Sequence, residues 1–472
     1  MAFEKFPRPP DDSGIGYHFG TDRQDWATEP LGYWLDELSA LGASWLVLPG
    51  SFESPVPTPF VRDLVEHKIE PILRLDVWPI RPVDQSALAA LCHAYADAGA
   101  HYLHLYREPN LATQWQIADW IAPGLVTRFG SLLLPSLETI RSNGLIPLLS
   151  PLAPGGHYWD LTFLRQLLGF LTHEAASDLL DDLGVCIHNY PTNRPLSWGE
   201  GGAARWPTAR PYAPAEAGED HRGFRLFEWY DEVIRSHLGR SLPMFCGETG
   251  LVLGTRDQLV FPRVDDTVHR ERTLAIAELA WRRALPSYLF NVAFWTLNAG
   301  DDDPVDTHAW YRRDGSHIPT VDALKEWVGQ RQPRSEEIAS SGQMPTLIPE
   351  PKIPVSATAE ATDQADVGDA DGLDACDPNH PIKHYILLEL GMVEPRDLSG
   401  YLGVLLPYAA RSRATFGFRR EEAGLAERVT VVGSDAVGLI RLQRELQLHG
   451  CEVALLHAMS PDDLRTALTS VA

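Results

Sequence analysis

Basic residues are scarce relative to acidic residues in this sequence. Its 472 residues include 40 Lys and Arg against 64 Asp and Glu, which gives a formal net charge of −24. Binding to phosphate groups needs clustered Lys and Arg side chains. The shortage of positive charge therefore argues against nucleic acid or an anionic membrane surface as a partner.

Cysteine and long apolar runs are also in short supply. The 5 cysteines show no C-x-x-C spacing, so neither a zinc site nor a disulfide framework is indicated. No apolar stretch reaches the ~18 residues of a membrane span. The N-terminal stretch MAFEKFPRPP lacks the apolar core of a signal peptide, which predicts a cytoplasmic protein. Secretion stays open as the alternative, because a secreted protein whose leader had been removed would show the same start.

No dinucleotide-binding signature and no internal repeat is evident. The glycines of VVGSDAVG, Gly433 and Gly438, do not have G-x-G-x-x-G spacing, and turn glycines are the simpler interpretation. The acidic run at residues 301–303 could bind calcium, but it lacks EF-hand spacing and is better explained as a solvated loop. The sequence therefore predicts no cofactor and no metal.

What the sequence does contain is a regular alternation of short apolar strands and helices. Eight strands are predicted at residues 14–20, 44–48, 72–77, 102–106, 145–149, 185–188, 243–247 and 288–297. A helix is predicted after each of them, at residues 31–41, 58–67, 84–98, 124–143, 161–183, 224–238, 268–285 and 321–328. Strands this apolar are typical of a parallel sheet covered on both faces. Eight such units predict a closed (β/α)8 TIM barrel, with a doubly wound open sheet as the alternative.

The composition changes after the eighth unit. Residues 333–381 are rich in Pro, Ala and acidic residues and have little periodicity, which predicts a flexible linker. Strands then return at 385–390, 429–432 and 453–456, with helices at 397–411 and 435–449. We therefore predict a barrel over residues 1–332, the linker, and a small α/β domain over residues 382–472. The role of this domain and the oligomeric state are not indicated.

Glu108 stands out because it ends a buried strand. Burying an unpaired carboxylate is unfavourable, and Pro109 cannot donate to a neighbouring strand, so the strand ends at or near Glu108. Active sites of barrels lie at the C-terminal ends of the strands. Glu248 ends the seventh strand, so the two carboxylates should face each other across the barrel mouth. Paired carboxylates are the minimal equipment for glycosidic bond cleavage.

The strand ends also supply candidate binding residues: Arg107, His188, Tyr190, Trp295, Arg74, Asp76 and Trp78. Structural roles are the alternatives. Glu108 could be an ion-pair partner of Arg107 or Arg74, and Glu248 could cap the next helix. The remaining alternatives are a core histidine for His188, a loop anchor for Tyr190, barrel packing for Trp295, and structural or peripheral roles for Arg74, Asp76 and Trp78. Trp198 and Trp206, in the long loop at 191–222, could pin that loop or stack on sugar.

Four motifs occur in order on the predicted strands: REPN at strand four, HNY at strand six, GETG at strand seven and FW at strand eight. Over about residues 14–330 the chain resembles the cellulase-type retaining β-glycoside hydrolases of the large (β/α)8 clan. The resemblance implies that Glu108 is the acid/base and Glu248 the nucleophile. It implies that His188 and Tyr190 orient the nucleophile side, and that Trp295 is a sugar platform.

One position departs from the clan. Asn stands immediately before the acid/base there and binds the sugar 2-OH, whereas this chain has Arg107. A guanidinium beside Glu108 favours its ionised form, which is wrong for a general acid. An Arg107 that pointed away from the mouth would only lose the sugar contact. The leading hypothesis is a retaining glycosidase acting on a β-linked oligosaccharide or polysaccharide, and the second is a carbohydrate-binding or scaffold barrel that has lost turnover.

Overall fold

The computed structural model describes two compact units, the first containing a barrel and the second a small parallel sheet. The described residues are 3–20, 26, 31–175, 177–207, 209, 218–258, 260–299, 304–331, 380, 382–389, 395–412, 414–434, 436–458 and 460–471. The acidic run at 301–303 lies outside them, and so does the linker at 333–381 apart from residue 380. The calcium alternative, the linker and the domain boundaries therefore stay predictions.

Eight parallel strands form the first unit. They are β1 (Ile15–His18), β2 (Trp45–Ser51), β3 (Glu70–Asp76), β4 (Tyr102–Leu105), β5 (Ile146–Leu149), β6 (Gly184–His188), β7 (Met244–Glu248) and β8 (Val292–Phe294). Each strand pairs with the next from β1 to β7, and β8 pairs with β1. Parallel bridges from Met244 to Leu289 and from Thr249 to Phe294 join β7 to the segment around β8 and close the ring. The predicted (β/α)8 barrel is confirmed.

Helices occupy the connections between the strands. They are α1 (Leu31–Ala40), α2 (Thr58–Glu66), α3 (Gln85–Asp97), α4 (Ile117–Ile121), α5 (Leu125–Ser142), α6 (Asp160–Glu174), α7 (Ser177–Asp181), α8 (Gly202–Arg205), α9 (Leu226–Leu238), α10 (Asp266–Trp281) and α11 (Pro319–Gly329). Local sequence explains where two of them start. The Asp84 carboxylate accepts from the backbone N–H groups of Ser86 and Ala87 at the start of α3, and Asp265 accepts from Val268 at the start of α10. Each carboxylate satisfies donors that a first helical turn leaves unpaired.

The second unit is a parallel sheet covered by helices on both faces. Its elements are β9 (Ile382–Glu389), α12 (Pro395–Arg411), β10 (Thr415–Gly417), α13 (Arg420–Ala423), β11 (Ala426–Gly433), α14 (Ala436–Leu448), β12 (Glu452–His457) and α15 (Pro461–Val471). The strand order is β10-β9-β11-β12. One apolar cluster joins the sheet to α13 and α14, and another joins it to α12 and α15. The predicted small α/β fold is confirmed, and no helix among the described residues has the length and apolar character needed to cross a membrane.

Several elements differ from the sequence prediction. The predicted eighth strand at 288–297 contains only three residues of regular strand, and Leu289 before them meets β7 through a single bridge. The predicted helix at 161–183 is divided into α6 and α7, since Ala175 adopts an extended conformation after α6. β10, α13 and α15 were not predicted. An apolar run in the sequence indicates that a segment is buried. The length of the strand also depends on whether a neighbouring strand lies at hydrogen-bonding distance along the whole segment.

The barrel interior is apolar at one end and polar at the other. At the N-terminal ends of the strands the buried rings of Tyr102 and Phe245 lie 4.4 Å apart, and those of Phe245 and Phe290 lie 4.8 Å apart. Towards the C-terminal ends the buried side chains are His18, Arg74, His104, His188 and Glu248. Buried polar groups need hydrogen-bond partners, which these side chains can find on one another or on the backbone.

A buried carboxylate at the start of β3 is paired with one histidine. Glu70 is 5% exposed, and its Oε2 lies 2.9 Å from His101 Nδ1. The hydrogen bond with Glu70 raises the pKa of His101, while burial opposes this shift. Burial raises the pKa of Glu70, and the contacts with His101 oppose it. A pair in which both pKa values are raised binds more protons in the folded state, so its contribution to stability falls as the pH rises.

We expect His101→Asn to destabilise the barrel most at low pH. The contribution of the imidazolium is fully present below the ordinary histidine pKa of 6.5 and is lost as the pH rises through the raised folded value. The measurement is the thermal unfolding midpoint of both proteins between about pH 5.5 and 8.5. His93→Asn is the control, because His93 is exposed and lies 3.5 Å from Asp97. A difference between the intact chain and His101→Asn that does not change with pH would contradict this role.

Candidate active site

Glu108 and Glu248 lie at the same end of the barrel. Glu108 is in the turn that follows β4, and Glu248 is the last residue of β7. His188, the last residue of β6, stands between them. Its Nδ1 lies 3.0 Å from Glu108 Oε1, and its Nε2 lies 3.8 Å from Glu248 Oε1. The two carboxylates therefore approach opposite nitrogens of one imidazole ring.

The turn that carries Glu108 has an unusual backbone. Tyr106 and Glu108 have φ angles of 61° and 45°, a region that costs a residue with a side chain roughly 1–3 kcal/mol. The buried amide of Asn110 compensates by joining this turn to the next loop. Its Nδ2 donates to the carbonyl oxygens of Ala153 and Tyr158, and its Oδ1 accepts from the Ala153 N–H. Asn110 of the REPN motif is therefore a positioning residue for Glu108.

Glu248 is buried among cations and hydrogen-bond donors. Arg74 Nη1 donates to its Oε1 at 3.4 Å, and the Tyr190 hydroxyl donates to its Oε2. Burial alone would raise the pKa of Glu248, but nearby positive charge, above all that of His188 and then that of Arg107, outweighs burial and holds the pKa well below its usual range. Burial and the adjacent Glu248 charge raise the pKa of Tyr190, so its hydroxyl keeps its proton. Glu248 is thus held as a carboxylate.

Arg74 is itself buried, at 1% exposure, and needs several partners. Its Nε and Nη2 donate to Asp76 Oδ2 at 3.1 and 2.9 Å, and its Nη1 also donates to His18 Nε2 at 2.9 Å. His18 Nδ1 lies 3.0 Å from the Gly20 carbonyl oxygen, which can only accept. His18 therefore carries its proton on Nδ1 and is a neutral acceptor for Arg74. The structure places Arg74 against Glu248, and its role in binding substrate stays a prediction.

Two buried histidines at this end of the barrel were missed by the sequence analysis. His18 ends β1, and His104 lies in β4 with its Nδ1 3.3 Å from the Tyr106 carbonyl oxygen. Burial, with repulsion from Arg74, lowers the pKa of His104 to about 3, so this imidazole is neutral. The available signal was a histidine within an otherwise apolar strand, at the end where the other polar residues occur.

The residues that flank Glu248 in the GETG motif fix its position. A Cβ on Gly247 would lie 2.8 Å from Cys186 Sγ and 3.4 Å from His188 Nε2, so any side chain there would crowd the neighbouring strand. The Thr249 hydroxyl donates to the Asn189 carbonyl oxygen at 2.9 Å. These contacts, rather than helix capping, account for the motif, and they hold the ends of β6 and β7 together.

Arg107 points towards the carboxylates. Its Nε lies 3.6 Å from Glu108 Oε2, and its charge lowers the pKa of Glu248. The side chain is 26% exposed, so it lies at the solvent boundary of the mouth. The alternative in which Arg107 turns away from the mouth is therefore wrong for this structure.

Trp295, the predicted sugar platform, and Trp78, a candidate binding residue, occupy two different settings. Trp295 is half-buried, and its backbone N–H donates to the carbonyl oxygen of Thr249, next to Glu248. Trp78 is 69% exposed, and its indole N–H donates to the Thr113 carbonyl oxygen at 2.9 Å. The first lies beside the nucleophile candidate, whereas the second lies on the rim.

The two tryptophans of the long loop after β6 have structural partners. The Trp198 indole N–H donates to Asp220 Oδ1 at 3.0 Å, and that of Trp206 donates to the Glu200 carbonyl oxygen at 3.0 Å. Both bonds are made within the loop. They favour the interpretation in which these residues pin the loop.

The histidines at the mouth are engaged in hydrogen bonds. His18 uses one nitrogen with Gly20 and the other with Arg74, and His188 Nδ1 contacts Glu108. Over the described part of the chain, no cluster of three or more His, Cys, Asp or Glu side chains has the arrangement of a metal site.

No protein-family model and no curated protein sequence matches this chain. Among solved structures, a family 39 glycoside hydrolase from Bacteroides cellulosilyticus WH2 matches at 14% identity and a TM-score of 0.43, over 68% of this chain and 64% of that one. An endo-β-1,4-glucanase from Xanthomonas axonopodis pv. citri matches at 15% identity and a TM-score of 0.38, over 67% and 99%. A Bacteroides uniformis β-glucuronidase 2 matches at 11% identity and a TM-score of 0.42, over 68% and 35%. Scores and identities this low assign no activity to this chain.

Tyr190→Phe should raise the pKa of Glu248. The substitution removes a donor to the charged form, and a hydrogen bond to a charged group contributes roughly 1.5–3 kcal/mol, which corresponds to about 1–2 pH units. The measurement is a carboxyl 13C NMR titration of glutamate-labelled protein, with Glu248 assigned from Glu248→Gln. Tyr230→Phe is the matched control, because the buried Tyr230 hydroxyl donates to Asp160 instead. Equal shifts in both variants would contradict a specific role for Tyr190.

Proposed function

We propose that the chain is a retaining glycoside hydrolase that cleaves a β-linked oligosaccharide or polysaccharide. The observation that carries the proposal is the placement of Glu108 and Glu248 on opposite nitrogens of His188. Glycosidases need two carboxylates in different environments, one able to attack and one able to exchange a proton. The motif resemblance supports the same pair.

The surroundings of the two glutamates support different roles for them. The Glu248 side chain is 3% exposed and its pKa is lowered, so it is the permanently ionised carboxylate that suits a nucleophile. The Glu108 side chain is 14% exposed, which suits a group that exchanges protons with a leaving oxygen and with water. Tyr190 and Arg74 orient Glu248.

The reaction takes two displacements. In the first, a Glu248 oxygen attacks the anomeric carbon, the bond from that carbon to the leaving oxygen breaks, and Glu108 donates its proton to that oxygen. A glycosyl ester on Glu248 results. In the second, Glu108 removes a proton from water, the water oxygen attacks the same carbon, and the bond to Glu248 breaks. No cofactor takes part.

The contact between Arg107 and Glu108 favours a second candidate function. Arg107 stands where the clan has an Asn that binds the sugar 2-OH, and its Nε lies 3.6 Å from Glu108 Oε2. A Glu108 that is held in an ion pair with Arg107 is not available to a leaving oxygen. In that case the barrel binds a glycan without cleaving it.

Glu248→Gln should abolish turnover, because a neutral amide cannot form the glycosyl ester. Glu108→Ala should slow both displacements, and added azide should restore the second when the leaving group is already activated. The measurement is hydrolysis of a panel of aryl β-glycosides, with product analysis for a β-glycosyl azide. Glu138→Gln, on α5, is the control. An active intact chain whose activity survives Glu248→Gln would rule out the two-glutamate mechanism.

Arg107→Asn decides between the two candidates. If the ion pair with Arg107 withholds Glu108 from the leaving oxygen, removal of the guanidinium restores general acid catalysis, and kcat/KM for substrates with poor leaving groups should rise roughly tenfold or more. Arg62→Asn, on the exposed face of α2, is the matched control. If the intact chain and Arg107→Asn both fail to turn over every β-glycoside tested while still binding sugars, the binding barrel is supported.

A further inference from the structure

The loop after β3 presents an indole ring to solvent. All 14 tryptophans lie among the described residues, and Trp78 is the most exposed of them, at 69%. β3 carries Arg74, which contacts Glu248, and ends at Asp76. Trp78 follows directly and therefore stands at the rim of the mouth that holds the two glutamates.

This ring is held in place. Its indole N–H donates to the Thr113 carbonyl oxygen at 2.9 Å, in the loop after β4. Its own carbonyl oxygen accepts from Arg81 Nη1 at 2.8 Å. Val77 and Ile80, on either side in the sequence, are only 7% and 3% exposed. The exposure of Trp78 is thus a property of an anchored loop.

An anchored, exposed indole suits a flat ligand with an apolar face. Aromatic side chains provide large rigid contact areas at a low entropic cost, and tryptophan is enriched where binding energy is concentrated. A pyranose ring has an apolar C–H face and a polar edge. Ile80 and Arg81 of the same loop also line a cavity of about 370 Å³, together with Trp115 and Asp119 among others.

We propose that Trp78 is an outer sugar-binding platform, and that the substrate is a chain of several sugar units running from the glutamates over the rim. The inference rests on the proposed function and adds the requirement that the substrate contain several sugar units. Glu248 is 2% exposed inside the barrel and Trp78 is 69% exposed on its edge, so the unit stacked on Trp78 is not the unit attacked. A monosaccharide glycoside does not reach the platform.

The test measures binding as a function of chain length. Full-length Glu248→Gln protein is titrated calorimetrically with β-1,4-linked gluco-, xylo- and manno-oligosaccharides of two to six units. The affinity of Glu248→Gln is expected to increase with the number of sugar units in the probe. Adding Trp78→Ala to this protein should weaken binding of the longest bound probe by about tenfold, so that affinity depends less on the number of units. Trp78→Phe keeps an aromatic face and should restore part of the loss. Tyr33→Ala, which removes a 48% exposed ring on α1, is the control.

The possible outcomes distinguish a failure of the Trp78 platform from a failure of the proposed glycosidase function. If the intact chain hydrolyses β-glycosides but Trp78→Ala leaves the dependence of binding on length unchanged, the platform is wrong and the glycosidase stands. If the intact chain hydrolyses no β-glycoside and Glu248→Gln binds none of the probes, the platform and the proposed function are both wrong. If Trp78→Ala changes self-association in sedimentation experiments and not sugar binding, the rim is a protein contact and the inference is overturned.

Discussion

A buried guanidinium organises the mouth of the barrel. Moving a charge out of water costs several kcal/mol unless partners compensate, and Arg74 is 1% exposed. Glu248 and Asp76 supply negative charge, and His18 supplies a neutral acceptor. The compensation is mutual, since the same guanidinium helps to hold Glu248 ionised and directs its oxygens. Any chemistry at Glu248 depends on this pairing.

The pairing in turn depends on how the barrel is filled. Aromatic rings close the interior at the N-terminal ends of the strands, so the polar network is confined to the other end. There the loops after the strands can admit a ligand. The bridges between β7 and the segment around β8 close the ring around the buried interior, where electrostatic interactions are stronger than in solvent. The apolar packing at the N-terminal ends of the strands therefore helps to hold the polar side chains in place at the C-terminal ends.

Glu108 and Glu248 have the same side chain but lie in different surroundings. Glu248 lies within the ladder at the end of β7, where Gly247 and Thr249 hold the strand against β6. Glu108 lies beyond the end of β4 on a turn with positive φ, where it is closer to solvent and to Arg107. One position is fixed by a strand and the other by a strained turn, and this difference underlies the separate roles that we propose for the two carboxylates.

The alternation of eight apolar strands with helices determined the barrel, and the rule that strand ends share one face of a barrel brought Glu108 and Glu248 together. Local sequence patterns could not predict the contacts within the site. Periodicity indicates which residues of one strand or helix are buried, but it does not indicate which side chain of another element each of them contacts. Only the tertiary structure decided that Arg74 reaches Glu248, that His18 accepts from Arg74, and that Arg107 turns towards Glu108. These contacts join side chains from distant strands. They depend on ring closure, strand register and side-chain direction, which arise only when all eight strands are in place.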